Sequence, residues 1–110
     1  MSGKYNIVAE QGATFNLNFR VETDGVAWDL STYTFAMQVR RSTGDSNTLL
    51  DITSATMTSL GHVSATVDAA TMSDLPAGRW FYDIELTAGI GGEVTRILEG
   101  RFIVTPQVTQ

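Results

Sequence analysis

The chain has 110 residues, of which 43% are hydrophobic and 17% are charged. This size predicts a single domain over 1–110, with enough apolar surface to bury a core and fold. Seven Lys and Arg against twelve Asp and Glu give a formal net charge of −5. That sign disfavours binding to phosphates, so nucleic acid and anionic membranes are excluded as expected partners. The sequence has no cysteine, which excludes disulfides, thiolate metal centres and cysteine nucleophiles.

The N-terminal residues have no apolar stretch of the length found in signal peptides. No run in the chain approaches the roughly 18 apolar residues of a membrane-spanning helix. We therefore expect a soluble protein, made in the cytoplasm, with no membrane partner.

Apolar and polar residues alternate in the first half of the chain, which predicts β-strands. Residues 14–21 and 33–40 follow the period-2 pattern of half-buried strands. Between them, the Asp24-Gly25 pair favours a chain reversal, because both residues adopt positive φ at low cost. Residues 41–48 contain turn formers and no apolar residue, so an exposed loop is predicted. Short strands are expected within 49–52 and 55–59.

The second half of the chain continues the strand pattern. A strand is predicted over 61–67, followed by a short helical turn with Asp68 as its N-cap. The most aromatic strand starts near Trp80 and is expected to lie centrally in its sheet. The last strand is predicted over 94–104, where Gly100 indicates a bulge or a close backbone approach.

Several strands with turn signals every 8–12 residues, and no long helix, predict an all-β fold. The expected architecture is an antiparallel, immunoglobulin-like β-sandwich of about six to nine strands. The predicted core consists of the inward-facing residues Phe15, Leu17, Phe19, Phe35, Met37, Val39, Val63, Trp80, Tyr82, Ile84, Leu86 and Phe102.

Residues suited to catalysis are few in this sequence. His62 is the only histidine, and it lies on the polar face of its predicted strand. Ser59 and Ser64 are near it in sequence, but neither stands in a nucleophile turn. We therefore predict that the protein is not an enzyme, with no catalytic residue.

Two other segments have superficial features of ligand sites. Asp83 and Glu85 share one strand face and could collect calcium, but cross-strand pairing with Arg96 or Arg101 explains them better. The glycine-rich segment 89–92 lacks the helix and the Lys-Ser/Thr pair of a phosphate loop, so it predicts a hairpin turn. No metal and no cofactor are expected.

Three aromatic residues could form a surface that binds sugar rings, namely Trp28, Trp80 and Phe81. Trp80 belongs to the inward-facing set of its strand, whereas Phe81 shares a face with Asp83 and Glu85. An apolar ring on that polar face indicates either an interaction surface or cover by another part of the chain.

The order of segments resembles small virion proteins of tailed bacteriophages. In the first half the resemblance lies in QGATFNL at 11–17, DG at 24–25, WDLSTY at 28–33 and MQVR at 37–40. In the second half, LPAGRWFYDIEL at 75–86, VTRILEG at 94–100 and VTP at 104–106 are similar to phage immunoglobulin-like modules, including the N-terminal domain of baseplate upper proteins. The resemblance extends from about Tyr5 to Val108.

This resemblance implies a non-enzymatic structural protein located in the virion, after synthesis in the host cytoplasm. It would be an assembly or decoration module of the tail, baseplate or capsid, with other virion proteins as partners and self-association into a homo-oligomer. The alternative is a carbohydrate-binding module that uses exposed aromatic residues. No receptor-binding or enzymatic domain follows in this chain, unlike in multidomain baseplate proteins.

Candidate interface residues come from Phe81 and from the two ends of the chain. The terminal segments are uncharged and extended, so they could pair with the edge strands of another chain. The alternative, which is the commoner fate of terminal strands, is that they complete their own sheets. The candidate interface residues are Phe81, Ile7, Val8, Val104 and Val108.

Overall fold

Two packed β-sheets form the body of the protein in a computed structural model that describes residues 3–42, 44, 47–89 and 92–106. In chain order the elements are β1 (Gly3–Lys4), β2 (Ile7–Glu10), β3 (Phe15–Arg20), β4 (Glu22–Thr23), β5 (Val26–Ala27), β6 (Tyr33–Arg40), β7 (Leu50–Ile52), β8 (Thr56–Met57), β9 (His62–Val67), α1 (Ala69–Ser73), β10 (Gly78–Ala88) and β11 (Val94–Thr105). Seven of these strands have three or more residues, which agrees with the predicted number, and four have only two.

The larger sheet has the strand order β1-β11-β10-β6-β7, with β2 also paired to β11. Strand β10 pairs antiparallel with β11 on one side and with β6 on the other. The aromatic strand is therefore central, as predicted. The smaller sheet has the order β3-β9-β8 and is also antiparallel.

The predicted reversal at Asp24-Gly25 is confirmed as the turn of a short hairpin. Both residues have positive φ, 52° for Asp24 and 81° for Gly25. The hairpin pairs β4 with β5 and forms a separate two-stranded ribbon. Strand β3 itself pairs with β9, and the Trp28 N–H after the hairpin donates a hydrogen bond to the Val21 carbonyl oxygen.

The hydrophobic core lies between the two sheets, because alternation turns one face of each strand inward. Phe102 is fully buried and meets Phe15 of the other sheet edge-on, with 5.4 Å between ring centroids. Ten of the twelve predicted core residues are buried, while Phe19 and Trp80 are partly buried and pack against the core. The fold is thus an immunoglobulin-like β-sandwich, as predicted.

A short helix, α1, closes one end of the core. Its N-cap is Asp68, whose side chain accepts a hydrogen bond from the Thr71 N–H at 2.8 Å, as expected for a capping aspartate. This hydrogen bond lowers the pKa of Asp68. Met72 of the helix is fully buried, and Leu75 after it is 2% exposed. In the described part of the chain, no helix is long and apolar enough to cross a membrane.

The N-terminal strands differ from the expected antiparallel pairing. Both β1 and β2 run parallel to β11, with Ile7 opposite Phe102 and Gly3 opposite Leu98. Between them the chain passes so close to β11 that a Cβ added at Gly100 would lie 2.2 Å from the Tyr5 carbonyl oxygen. Gly100 therefore marks a close backbone approach, one of the two alternatives predicted for it. The bulge in β11 lies instead at Ile97, where the register with β10 shifts.

The same N-terminal segment is held by a tyrosine from the core. The Tyr82 hydroxyl donates a hydrogen bond of 2.6 Å to the Tyr5 carbonyl oxygen. The Tyr5 N–H donates to the Glu99 carbonyl, and the Asn6 side chain accepts from the Arg101 N–H. Tyr82 is 4% exposed, and burial raises its pKa to about 12.

We expect Gly100→Ala to lower the free energy of unfolding by about 1–3 kcal/mol, as overpacking of a tight contact does. The added methyl group would displace the Tyr5 backbone. Chemical denaturation would measure the change. Gly44→Ala is the control, because nothing lies within 4 Å of a Cβ at that position. Equal stability of the two variants would contradict the close approach.

We expect the stabilising contribution of Tyr82 to be lost as the pH rises from 10 to about 12. A pKa raised from 10.0 to about 12 means that the folded state holds the phenol proton more tightly than the unfolded state. Its contribution is complete below pH 10 and is lost as the pH rises through the folded pKa. Thermal unfolding across this range should show a shallower decline for Tyr82→Phe than for Tyr33→Phe. Identical declines would contradict the assignment.

Candidate functional site

The outer face of the larger sheet points away from the core and carries the outward-facing side chains of its strands. Alternation along β10 buries Tyr82, Ile84 and Leu86. It therefore directs Phe81 and Asp83 outward. Their surroundings depend on the register with β6 and β11.

Phe81 lies between two arginines. Its cross-strand neighbours are Arg40 on β6 and Arg101 on β11. The Arg101 guanidinium carbon lies 5.1 Å from the Phe81 ring centroid, within the range of a cation–π interaction. Arg40 donates a hydrogen bond to the Gln38 Oε1. Intramolecular cover of Phe81 is thus present, and it comes from two charged side chains, of which Arg101 is exposed and Arg40 is partly buried.

The next row of the sheet adds a third arginine and two aliphatic residues. Arg79 lies opposite Ile103, and Ile103 lies opposite Val8 of β2. Val8 is 63% exposed. We name this contiguous surface the Phe81 patch, and it consists of Val8, Arg40, Arg79, Phe81, Arg101 and Ile103. It combines apolar surface with three of the seven basic residues of an acidic chain.

Beside the patch, opposite charges neutralise one another. Arg96 lies 3.5 Å from an Asp83 carboxylate oxygen and 3.6 Å from one of Glu85. The predicted cross-strand pairing of these two carboxylates is therefore confirmed. Lys4 of β1 is paired in register with Glu99. An open depression of about 380 Å³ lies here, with Phe81 and Arg101 among its lining residues.

The two tryptophans do not extend the patch into a flat aromatic surface. Trp80 donates its indole N–H to the Pro76 carbonyl, and the Arg41 guanidinium lies 5.1 Å from its ring centroid. Trp28 donates to the Thr23 hydroxyl and packs against Tyr33, with 6.0 Å between ring centroids. Each ring thus has its own local partners.

The residues considered for catalysis lie on the exposed surface of β9 and of the turn before it. His62 is exposed on β9 opposite Arg20 of β3. Ser59 and Ser64 are also exposed. Within the described ranges there is no group of three or more His, Cys, Asp or Glu residues that could hold a metal ion. The pKa of Asp29 is lowered by hydrogen bonding with Ser31 in a local turn.

The terminal residues predicted at an interface fall into three groups. Ile7 and Val104 are 5% and 2% exposed, respectively, so their side chains belong to the core and are not available to a partner. The reason is that β2 completes its own sheet beside β11, which was the alternative fate of this segment. Val8 points outward, as an interface would require. Val108 lies outside the described residues.

The arginines of the Phe81 patch were missed by reasoning from the sequence. Arg40, Arg79 and Arg101 are far apart in the chain, and only the register of three strands brings them together. The sequence did indicate that each arginine faces outward, because each lies an even number of residues from an outward-facing residue of its own strand.

No known protein family and no curated protein matches the sequence. Among solved structures, the chain is similar to the crystal structure of CopC from Methylosinus trichosporium OB3b, with 16% sequence identity and a TM-score of 0.47. The match covers 99% of this chain and 90% of that one.

We expect calcium to leave the melting temperature unchanged. Arg96 already lies beside both Asp83 and Glu85, and its charge opposes a divalent cation at the same carboxylates. Differential scanning fluorimetry with and without a chelator would measure this, because an ion that binds only the folded state raises its stability. Arg96→Gln is the comparison, since it leaves both carboxylates without that cation. A rise in the unmodified protein that chelation reverses would contradict the prediction.

Proposed function

We propose that this protein is a non-enzymatic structural protein of tailed-bacteriophage virions, and that it binds other virion proteins through the Phe81 patch. Its place would be the tail, the baseplate or the capsid surface, as a connector or a decoration module. The sequence resemblance from about Tyr5 to Val108 suggests the type of particle. The Phe81 patch is the observation that carries the mode of action.

The composition of the patch suits a protein partner. Arginine and aromatic residues are enriched where protein interfaces have their largest binding energies, whereas lysine and glutamate are depleted there. Phe81, Arg40 and Arg101 form one cross-strand row. An arginine with a long aliphatic stem can cover a ring and still offer its guanidinium to a carboxylate.

The support beneath the patch is rigid, which also suits a structural role. Its side chains project from β6, β10 and β11, and β10 is paired along both edges. Side chains on paired strands hold their positions better than those on loops, so little order would have to be gained on binding. Symmetric particles use one such contact repeatedly.

The carbohydrate-binding alternative receives less support from the geometry. Sugar-binding surfaces need exposed rings side by side, but Trp28 packs with Tyr33 at the start of β6, and Phe81 lies opposite Arg40 at its end. Tyr33 and Arg40 are seven residue steps apart along an extended strand, a span of about 23 Å. Trp28 and Phe81 therefore do not form one platform.

We expect mass spectrometry of gradient-purified virions to detect this protein in a fixed ratio to the major structural proteins. The double variant Phe81→Ser, Arg101→Ser should remain folded and be lost from the particles, because the changes lie on an exposed face. His62→Ala, exposed on the opposite sheet, is the control and should be retained. Detection of the unmodified protein only in infected-cell lysate would contradict a virion location.

A further inference from the structure

The end of the molecule where β6 begins differs in charge from the Phe81 patch on the outer sheet face, and this difference suggests a specific partner for the patch. Backbone hydrogen bonds gather several loops at the end of the sandwich where β6 begins. Trp28 bonds to Val21, Leu30 to Thr58, Gly89 to Thr32, and Ala88 to Glu93. The β4–β5 hairpin is attached at the same end, because it connects Val21 to Trp28.

This end carries four exposed carboxylates and exposed apolar side chains. The carboxylates belong to Glu22, Asp24, Asp29 and Glu93. Among the described residues, three of the five large hydrophobic side chains that are exposed also lie here: Val26 at 69%, Leu60 at 64% and Val94 at 56%. We name this surface the acidic end, and it consists of Glu22, Asp24, Val26, Asp29, Leu60, Glu93 and Val94.

The acidic end and the Phe81 patch are complementary in charge and similar in apolar content. Within the described ranges, two basic residues lie near the acidic end. Arg20 forms an ion pair with Glu22 at 3.4 Å, and Arg96, two residues after Val94, is paired with Asp83 and Glu85. The patch offers the guanidinium groups of Arg40, Arg79 and Arg101 around Phe81. The two surfaces lie about 20 Å apart along β6, so one copy cannot join its own acidic end to its own patch.

We propose that the acidic end of one copy docks onto the Phe81 patch of a second copy. This inference rests on the proposed function and deepens it by naming the partner as the chain itself. Carboxylates of the acidic end meet the arginines of the patch, and exposed valines and Leu60 meet Phe81, Ile103 and Val8. Because the two surfaces differ, the contact is heterologous and repeats head to tail, as a closed ring or an open chain.

Charge exchange tests this arrangement. Sedimentation velocity should show species larger than the 11.9 kDa monomer at low ionic strength. These should be lost at about 1 M salt, where the Debye length is about 3 Å. Two double variants should each abolish association when studied alone. One carries Arg40→Glu and Arg101→Glu, and the other carries Glu22→Lys and Glu93→Lys. An equimolar mixture of the two double variants should restore it, because each reversed surface then meets one of opposite charge.

Matched controls keep the test specific. Asp74→Lys is compared with the single variant Glu22→Lys, which changes the net charge equally. Asp74 is the C-cap of α1 and lies outside both surfaces, so Asp74→Lys should associate like the unmodified protein, whereas Glu22→Lys should associate more weakly. Circular dichroism should show that every variant is folded. Association of Glu22→Lys, Glu93→Lys at unchanged strength would overturn the proposal, since it would mean patch-to-patch contact. A monomer at all protein concentrations and ionic strengths would also overturn it.

These outcomes are independent of the virion experiment. A strictly monomeric protein that is found in virions would refute head-to-tail contact and leave the structural role intact. A protein that forms salt-sensitive chains or rings but is absent from virions would support the contact and refute the virion role.

Discussion

Pairing of β10 along both edges is the constraint on which the rest of this structure depends. From Phe81 to Thr87 each residue of β10 has a partner in β6, and β11 lies along the other edge. The strand cannot rotate, so its alternation fixes Tyr82, Ile84 and Leu86 in the core and leaves Phe81 and Asp83 on the outer face. A slip of one residue would reverse both faces and bury charge, which the core would not tolerate.

The N-terminal segment shows how the sheet accommodates a parallel strand at its edge. Leaving Tyr5 and Asn6 outside the regular pairing would expose backbone groups, and three contacts compensate for this. Gly100 admits the Tyr5 backbone, the Tyr82 hydroxyl binds its carbonyl oxygen, and the Asn6 side chain accepts from Arg101. The same elements that hold β2 in place therefore also position Val8 beside Ile103 and Arg101 at the edge of the Phe81 patch.

The sequence predicts the fold well because most of its strands bury a single face. Alternation located β3, β6, β9 and β10, and Asp24-Gly25 and Asp68 had local signals that depend on backbone chemistry alone. Of the candidate surface, Phe81 and Val8 were predicted, but the three arginines were not. Alternation assigns each arginine to an outward face, but only the pairing register of β6, β10 and β11 brings them together around Phe81, and the sequence does not give that register. Ile7 and Val104 were predicted at an interface because the sequence of an uncharged terminal segment does not show whether it pairs within its own sheet or with another chain.

The distribution of charge matters more for association than for the stability of the single chain. Exposed ion pairs contribute little to folding, and a net charge of −5 opposes close approach of identical copies. Separating the arginines around Phe81 from the carboxylates around the β4–β5 hairpin favours the relative orientation in which these two surfaces meet. Each such contact can be weak. In a closed ring every copy makes two contacts, and the last one forms at a high effective concentration, so a ring can be stable although a dimer is not.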